Sequence, residues 1–358
     1  MKALVTARMN QSDLGRLVAQ GIEVTTSGYG VTGEKLTEEQ LISQLADKDI
    51  LIIEFELVTE KVLSSAKNLK LVACCRNEPG ASVDITYATK VGIPILYTPG
   101  RNAIAVAEYT IGLIISIARN IPFTHHLLRY TDELTAISYS DKTGARKGVT
   151  SEWSLEPGAP FQRFQGVELS GKTLGLVGYG AIGQEIATRA KVFGLTIIAF
   201  DPFQKESVFV AGGVKSVDLL EVAQESDFVV MAAKVTPQTT GMFSKEMFAS
   251  MKNDAFFINT ARAALVDYEA LHDVLALNKI AGAALDVYPV EPLPTDSRLR
   301  QLNNVILSPH LAGSTDGVMT HHSRMVVDDV LSLLNGATTA RVIDSKALND
   351  FMGKGGLL

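Results

Sequence analysis

Short apolar runs alternate with stretches of helical spacing along most of the chain. In the first hundred residues the runs at 2–6, 23–26, 50–55, 69–74 and 93–97 read as strands, and 36–45 and 83–90 between them read as helices. Unbroken apolar strands separated by helices are what a parallel sheet needs, because each crossover lays a helix on a face. A second series begins at 174–177 and recurs at 196–200, 228–232, 255–259, 282–287 and 304–307, with helical patterns such as 268–277 between. Seven or so alternating elements with right-handed crossovers make a doubly wound sheet.

Between the series lies 102–119, NAIAVAEYTIGLIISIAR, a helical stretch that is apolar around nearly its whole circumference after Glu108. Such a helix must be covered on all sides, by its own domains or by a second copy of the chain. We expect it to bridge two domains and to help form a homodimer. Ile121-Pro122 closes it. The amphipathic stretch 316–335 follows the last strand and is expected to return to the leading domain. Residues 130–168, with Gly144, Gly148, Pro157, Gly158 and Pro160, hold no sustained period. They read as a long loop carrying the only tryptophan, Trp153: a plain surface insertion, a flap or part of a dimer contact.

A chain of 358 residues exceeds what one core usually fills, which agrees with two domains. The net charge of −6 gives no basic footprint, so nucleic acid and anionic membrane are not expected partners. Cys74 and Cys75 are adjacent at the end of an apolar run with no C-x-x-C spacing, so they read as buried free thiols of a reducing compartment. The first residues lack a signal-peptide core, and the uncharged apolar stretch 109–118 is about half a membrane span. A cytoplasmic protein is expected. His125-His126 and His321-His322 have no companions at metal-ligand spacing and read as helix-surface residues, with no metal expected.

Chemistry enters at 173–201, TLGLVGYGAIGQEIATRAKVFGLTIIAFD. Gly178, Gly180 and Gly183 give G-x-G-x-x-G between a strand and a helix, and Asp201 ends the next strand. The first glycine makes the turn, the second lets backbone approach a pyrophosphate, and the third lets helix and strand pack closely. The helix N-terminus supplies amides and a positive dipole end to the phosphates. Asp201 is placed to accept hydrogen bonds from an adenosine ribose, and Pro202 in place of a basic residue favours NAD over NADP, although Lys205 is near in sequence. The fold class expected is α/β: a Rossmann-type doubly wound NAD-binding domain over 101–316, and a flavodoxin-like α/β substrate domain built from 1–100 and 317–358.

Ligands of such sheets bind outside the carboxyl ends of the strands. Arg262 in INTARAALVD, Glu291 in AALDVYPVEP and His310 in SPHLAGST each follow a strand. Hydride transfer to a carbonyl needs a proton donor at the oxygen and a positive group on the substrate, tasks that suit histidine and arginine. A glutamate beside the histidine favours the imidazolium. Singly, Arg262 reads as well as a helix cap, Glu291 as a loop acid and His310 as a loop histidine; three strand-end hits behind a dinucleotide turn favour the catalytic reading.

Together GLVGYGAIG with Asp201, INTARAALVD, AALDVYPVEP and SPHLAGST resemble the D-isomer-specific 2-hydroxyacid dehydrogenase family, phosphoglycerate dehydrogenase-like, and VDITYATKVGIPILYTPGRNAIAVAEYTIGLI extends the resemblance through the leading domain. The resemblance implies an NAD-dependent enzyme that interconverts a 2-oxo acid and a D-2-hydroxy acid, with His310 as acid/base, Glu291 as its partner and Arg262 as substrate holder. It also implies that Ala181 and Ile182 contact the pyrophosphate, that Ala233 lies near the adenosine, and that Thr260, Ala261 and Asp286 surround the nicotinamide carboxamide. Gly313, in SPHLAGST, joins the cofactor set. Homodimers that close two domains over the substrate are usual in the family.

Two departures touch specificity. The chain has Ala232-Ala233-Lys234 where many members have His-x-Pro. Its loop Arg76-Asn77-Glu78-Pro79-Gly80-Ala81-Ser82 carries a charge and a proline where many have glycines. Arg76, Asn77 and Arg101 are therefore candidate substrate residues, with a phosphate or sugar-acid group as the ligand for Arg76 or Arg101. Alternatives are phosphoglycerate dehydrogenase proper and, from another class, an NAD(H)-sensing corepressor-like interaction module.

Overall fold

A computed structural model describes residues 1–134 and 159–357, so the expectation for the 130–168 loop and Trp153 falls largely outside the described residues. The chain divides into two compact units, Met1–Asn102 with Ser314–Leu358, and Ala103–Gly313.

In the first unit β1 (Lys2–Val5), β2 (Glu23–Thr26), β3 (Ile50–Ile53), β4 (Leu71–Cys74) and β5 (Ile95–Tyr97) form an all-parallel sheet in the order β2-β1-β3-β4-β5. That is the flavodoxin-like order. Every residue of β3 and β4 is buried, which explains apolar runs without alternation. On one face, Leu14 and Leu17 of helix Gln11–Ala19 and Val326, Val327, Val330 and Leu333 of helix Asp316–Leu334 pack against the sheet. The late amphipathic helix thus belongs to the first unit. On the other face Leu41, Leu45, Val62 and Ala88 meet Leu4, Leu51, Val72 and Cys74. The open edge of β5 is closed by a short return: the Tyr97 amide donates to the Arg341 carbonyl at 3.1 Å and the Ile343 amide to the Ile95 carbonyl at 3.0 Å.

In the second unit β6 (Thr173–Val177), β7 (Thr196–Phe200), β8 (Lys215–Ser216), β9 (Phe228–Met231), β10 (Phe256–Asn259), β11 (Gly282–Leu285) and β12 (Val305–Leu307) are all parallel, in the order β12-β11-β10-β9-β6-β7-β8. The winding reverses between β6 and β9, where a doubly wound sheet opens its crevice. Helices Ala103–Ala118 and Ala181–Val192 cover one face, and ten residues of the first are buried. Its apolar circumference is thus covered largely within this unit. Phe243, Phe248 and Phe257 cluster on the opposite face. Among the described residues no single helix is long and apolar enough to cross a membrane.

Candidate active site

The glycine turn leaves β6 at the winding reversal. Gly178 sits at φ 106°, and a Cβ there would fall 2.5 Å from the Ala233 amide nitrogen just beyond β9. Only glycine lets the two strand ends approach so closely. A Cβ on Gly183 would fall 2.4 Å from the Gly178 carbonyl oxygen, so the third glycine lets the helix seat on the turn. A Cβ on Gly180 would meet nothing within 4 Å, which leaves backbone open to a ligand at the start of helix Ala181–Val192. No side chain caps that helix, and its first amides, those of Ala181 and Ile182 among them, have no intrahelical acceptor. Asp201 accepts from the Tyr179 amide at 2.9 Å with one oxygen and from the Phe203 amide at 3.0 Å with the other. It therefore fixes the turn and keeps lone pairs for a ribose. These residues fit a dinucleotide.

The ends of β10, β11 and β12 carry the ionisable residues. His310 Nδ1 lies 2.7 Å from Glu291 Oε2. A carboxylate only accepts, so Nδ1 bears the hydrogen and Nε2 is left for a ligand. Glu291 also accepts from the Tyr288 amide at 3.0 Å. Burial alone would raise its pKa, but the His310 hydrogen bond, the Tyr288 amide and the charges of His310 and Arg262 outweigh it and hold the carboxyl below its ordinary value. Both side chains of the pair keep more than a third of their surface exposed (42% and 37%), open to a substrate. His310 holds φ 58°, a left-handed conformation that a non-glycine residue keeps only when its surroundings impose it.

Those surroundings are Asp286 and Tyr288. Asp286 is fully buried and accepts from the Ser308 hydroxyl at 2.6 Å and from the amides of Leu311 at 2.9 Å and Ala312 at 2.8 Å. Its contacts clamp the turn that carries His310 and leads to Gly313. Arg262 stands apart from the pair: its guanidinium donates to the Ala261 carbonyl at 2.6 Å and touches neither Glu291 nor His310. The buried Asn259 shapes that turn, accepting from the Ala261 amide at 3.0 Å and donating to the Arg262 carbonyl at 3.2 Å. Thr260 is buried with its hydroxyl 2.8 Å from that of Thr110.

The basic residues proposed for substrate binding at 76–101 lie in the first unit. Arg101 Nη1 is 2.7 Å from Glu54 Oε1 in a largely buried pair and 2.9 Å from His322 Nδ1. The His322 Nε2–H donates to the Arg8 carbonyl at 2.6 Å, and burial lowers the His322 pKa and keeps the ring neutral. Arg101 is thus paired with Glu54 through one of its nitrogens. One expectation is corrected here. His322 is a core histidine rather than a helix-surface residue, with 1% of its surface exposed. Arg76 differs: its guanidinium lies over the Phe55 ring, 5.1 Å from the centroid, with no carboxylate partner among the described residues. Asn77 spends its side chain on Asn102, at 2.9 Å, and the Gly100 amide, at 3.0 Å. Cys74 and Cys75 are buried and free; burial pushes the Cys74 thiol up to about 12 and Cys75 up as well, so neither serves as a nucleophile.

The sequence model of the D-isomer specific 2-hydroxyacid dehydrogenase NAD binding domain matches residues 136–312. The chain is 36% identical over 290 residues to hydroxypyruvate reductase of Thermotoga maritima, covering 80% of this chain and 84% of that protein. It belongs to the D-isomer-specific 2-hydroxyacid dehydrogenase family. It is also 35% identical over 348 residues to D-3-phosphoglycerate dehydrogenase of Methanocaldococcus jannaschii, covering 96% of this chain but 59% of that protein, so it spans about three fifths of the longer relative. The crystal structure of the TT0316 protein from Thermus thermophilus superposes with a TM-score of 0.71 at 29% identity, covering 96% of this chain and 100% of that one. The second unit is the family's NAD-binding domain, and the parallel two-sheet α/β fold is the family's fold.

Tyr268, Tyr288, Asn259 and Ser308 also shape the strand-end loops, and the sequence reading passed over them. Their signal was present but weak: Asn259, Tyr288 and Ser308 are polar-tipped residues in or close to an apolar strand, and Tyr268 opens a helix.

Proposed function

We propose that this family member interconverts a 2-oxo acid and a D-2-hydroxy acid with NAD. The observation that supports the reading most is the Glu291–His310 pair, which orients an imidazole at a strand end with no partner on Nε2 among the described residues. When bound, the dinucleotide supplies or accepts the hydride. The remaining tasks fall to side chains. His310 Nε2 delivers a proton to the substrate's carbonyl oxygen in reduction and takes it back in oxidation. Glu291 holds the ring and balances its charge. Arg262, freed from the Ala261 carbonyl, holds the substrate carboxylate through its planar fork. Gly178, Gly180, Ala181, Ile182 and Gly183 hold the pyrophosphate, Asp201 the ribose, and Ala233 borders the adenosine. Thr260, Ala261, Asp286 and Gly313 complete the cofactor set.

Arg76 is the candidate for a second anionic group on the substrate, since its charge has no carboxylate partner among the described residues. We further propose a cytoplasmic homodimer. The paired free thiols support the first, and the exposed apolar side chains Ile121, Leu128, Tyr130 and Phe161 beside the apolar helix support the second. NADH fluorescence decay with a panel of 2-oxo acids, 3-phosphohydroxypyruvate included, tests the reading. Turnover of at least one panel member is expected. Tight NADH binding with silence across the panel would favour the interaction-module alternative, and a strong preference for the phosphorylated acid would favour phosphoglycerate dehydrogenase proper.

A further inference from the structure

Two tyrosines tie the three loops at the ends of β10, β11 and β12 together. Tyr288 is buried, and its hydroxyl lies 2.9 Å from the carbonyl oxygens of both Leu285 and Ser308 while accepting from the Ser308 amide at 3.0 Å. The same residue's backbone amide holds Glu291. Tyr288 therefore grips both halves of the Glu291–His310 pair, one through its main chain and the other through its ring, since Ser308 stands two residues before His310. Tyr268 does the corresponding work one loop earlier. Its hydroxyl donates to the Val287 carbonyl and accepts from Asn259 Nδ2 at 3.4 Å, and Asn259 shapes the Arg262 turn.

We propose that the hydroxyls of Tyr288 and Tyr268 are positioning groups for the reaction: Tyr288 aligns His310 with Glu291, and Tyr268 sets the Arg262 turn against the Glu291 loop. The inference rests on the dehydrogenase reading for its kinetic consequences but on the hydrogen bonds alone for its geometry. The alternative, that the two rings merely fill space, leaves the hydroxyl contacts unexplained, because a buried hydroxyl needs partners while a phenylalanine needs none. Burial also pushes the Tyr288 phenol up to about 12 and raises that of Tyr268, so both stay protonated donors and do not compete with His310 for the proton.

Tyr288→Phe and Tyr268→Phe keep the rings and remove one oxygen each. The test combines steady-state kinetics with long-range 1H–15N spectra of the full chain, the His310 ring signals being assigned through His310→Gln. For Tyr288→Phe we expect turnover in the reductive direction to fall about tenfold with little change in KM, and the His310 ring nitrogens to move from the Nδ1–H form toward a mixture of tautomers. For Tyr268→Phe we expect KM for the 2-oxo acid to rise severalfold with the His310 ring signals unchanged. Unaltered ring signals and unaltered turnover in Tyr288→Phe would overturn its role, and an unaltered KM in Tyr268→Phe would overturn that one. A loss of melting temperature without either change counts as packing and also overturns the proposal. If the parent reduces no 2-oxo acid, the dehydrogenase reading fails separately; the positioning of His310 then stands or falls on the tautomer shift, and that of Arg262, which needs turnover, falls with the reading.

Discussion

In the proposed function Asp201 selects between the dinucleotides, and the hydrogen bonds it accepts from the Tyr179 and Phe203 amides hold its carboxylate in place. Asp201→Ser is expected to raise the NADPH to NADH ratio of kcat/KM by about tenfold or more, the scale of one lost like-charge repulsion of about 1.4 kcal/mol. An unchanged ratio would place cofactor choice elsewhere, Lys205 being the nearest basic residue in sequence. Glu291 gives a pH test. Its pKa is lowered on folding, so its contribution to stability is present above the unfolded value and disappears as pH falls through the folded one. The gap in melting temperature between the parent and Glu291→Gln should therefore be open at neutral pH and close below about pH 4.5. A gap that persists in acid would show that the carboxylate's charge is not what His310 and Tyr288 hold. Residue chemistry was legible where type and place coincide, as at His310 and Glu291. It was not legible for Arg101, whose partners Glu54 and His322 are 47 and 221 residues away, nor for Asp286, whose clamp spans 22 to 26 residues. Such pairings depend on which strand ends adjoin, and apolar runs do not encode that adjacency.

The glycine turn makes a prediction at the scale of an element, because its glycines do different work. Gly183→Ala forces a Cβ against the Gly178 carbonyl, so the helix must retreat from β6, with a loss of stability of about 1–3 kcal/mol read as a lower melting temperature. Gly180→Ala meets no protein atom, so the melting temperature should hold while NADH binding weakens, because the methyl stands where a pyrophosphate would approach. Equal loss of stability in both variants would contradict this division. Most strands were readable from their apolar runs, whereas β8, the helix Gln11–Ala19 and the helix Ile121–Tyr130 that follows Asn120 were not. Strands in the sequence reading overran by one or two residues, as at 282–287 against Gly282–Leu285, because the run of residues with strand character continues past the last ladder bond. The extra residues are Asp286 and Val287, already turning toward the site.

For the whole molecule, the division into two units followed from two series of strands, and the first unit is completed by a helix from the far end of the chain. Association is a separate matter. Sedimentation is expected to give twice the chain mass of 38.5 kDa, and a monomer at micromolar concentration would rule out the proposed homodimer. The most direct test of the central claim is the turnover number for the best 2-oxo acid with NADH in His310→Gln, alongside NADH affinity. Turnover should fall by about 10²-fold or more with NADH affinity unchanged, and full turnover in that variant would contradict His310 as the acid/base.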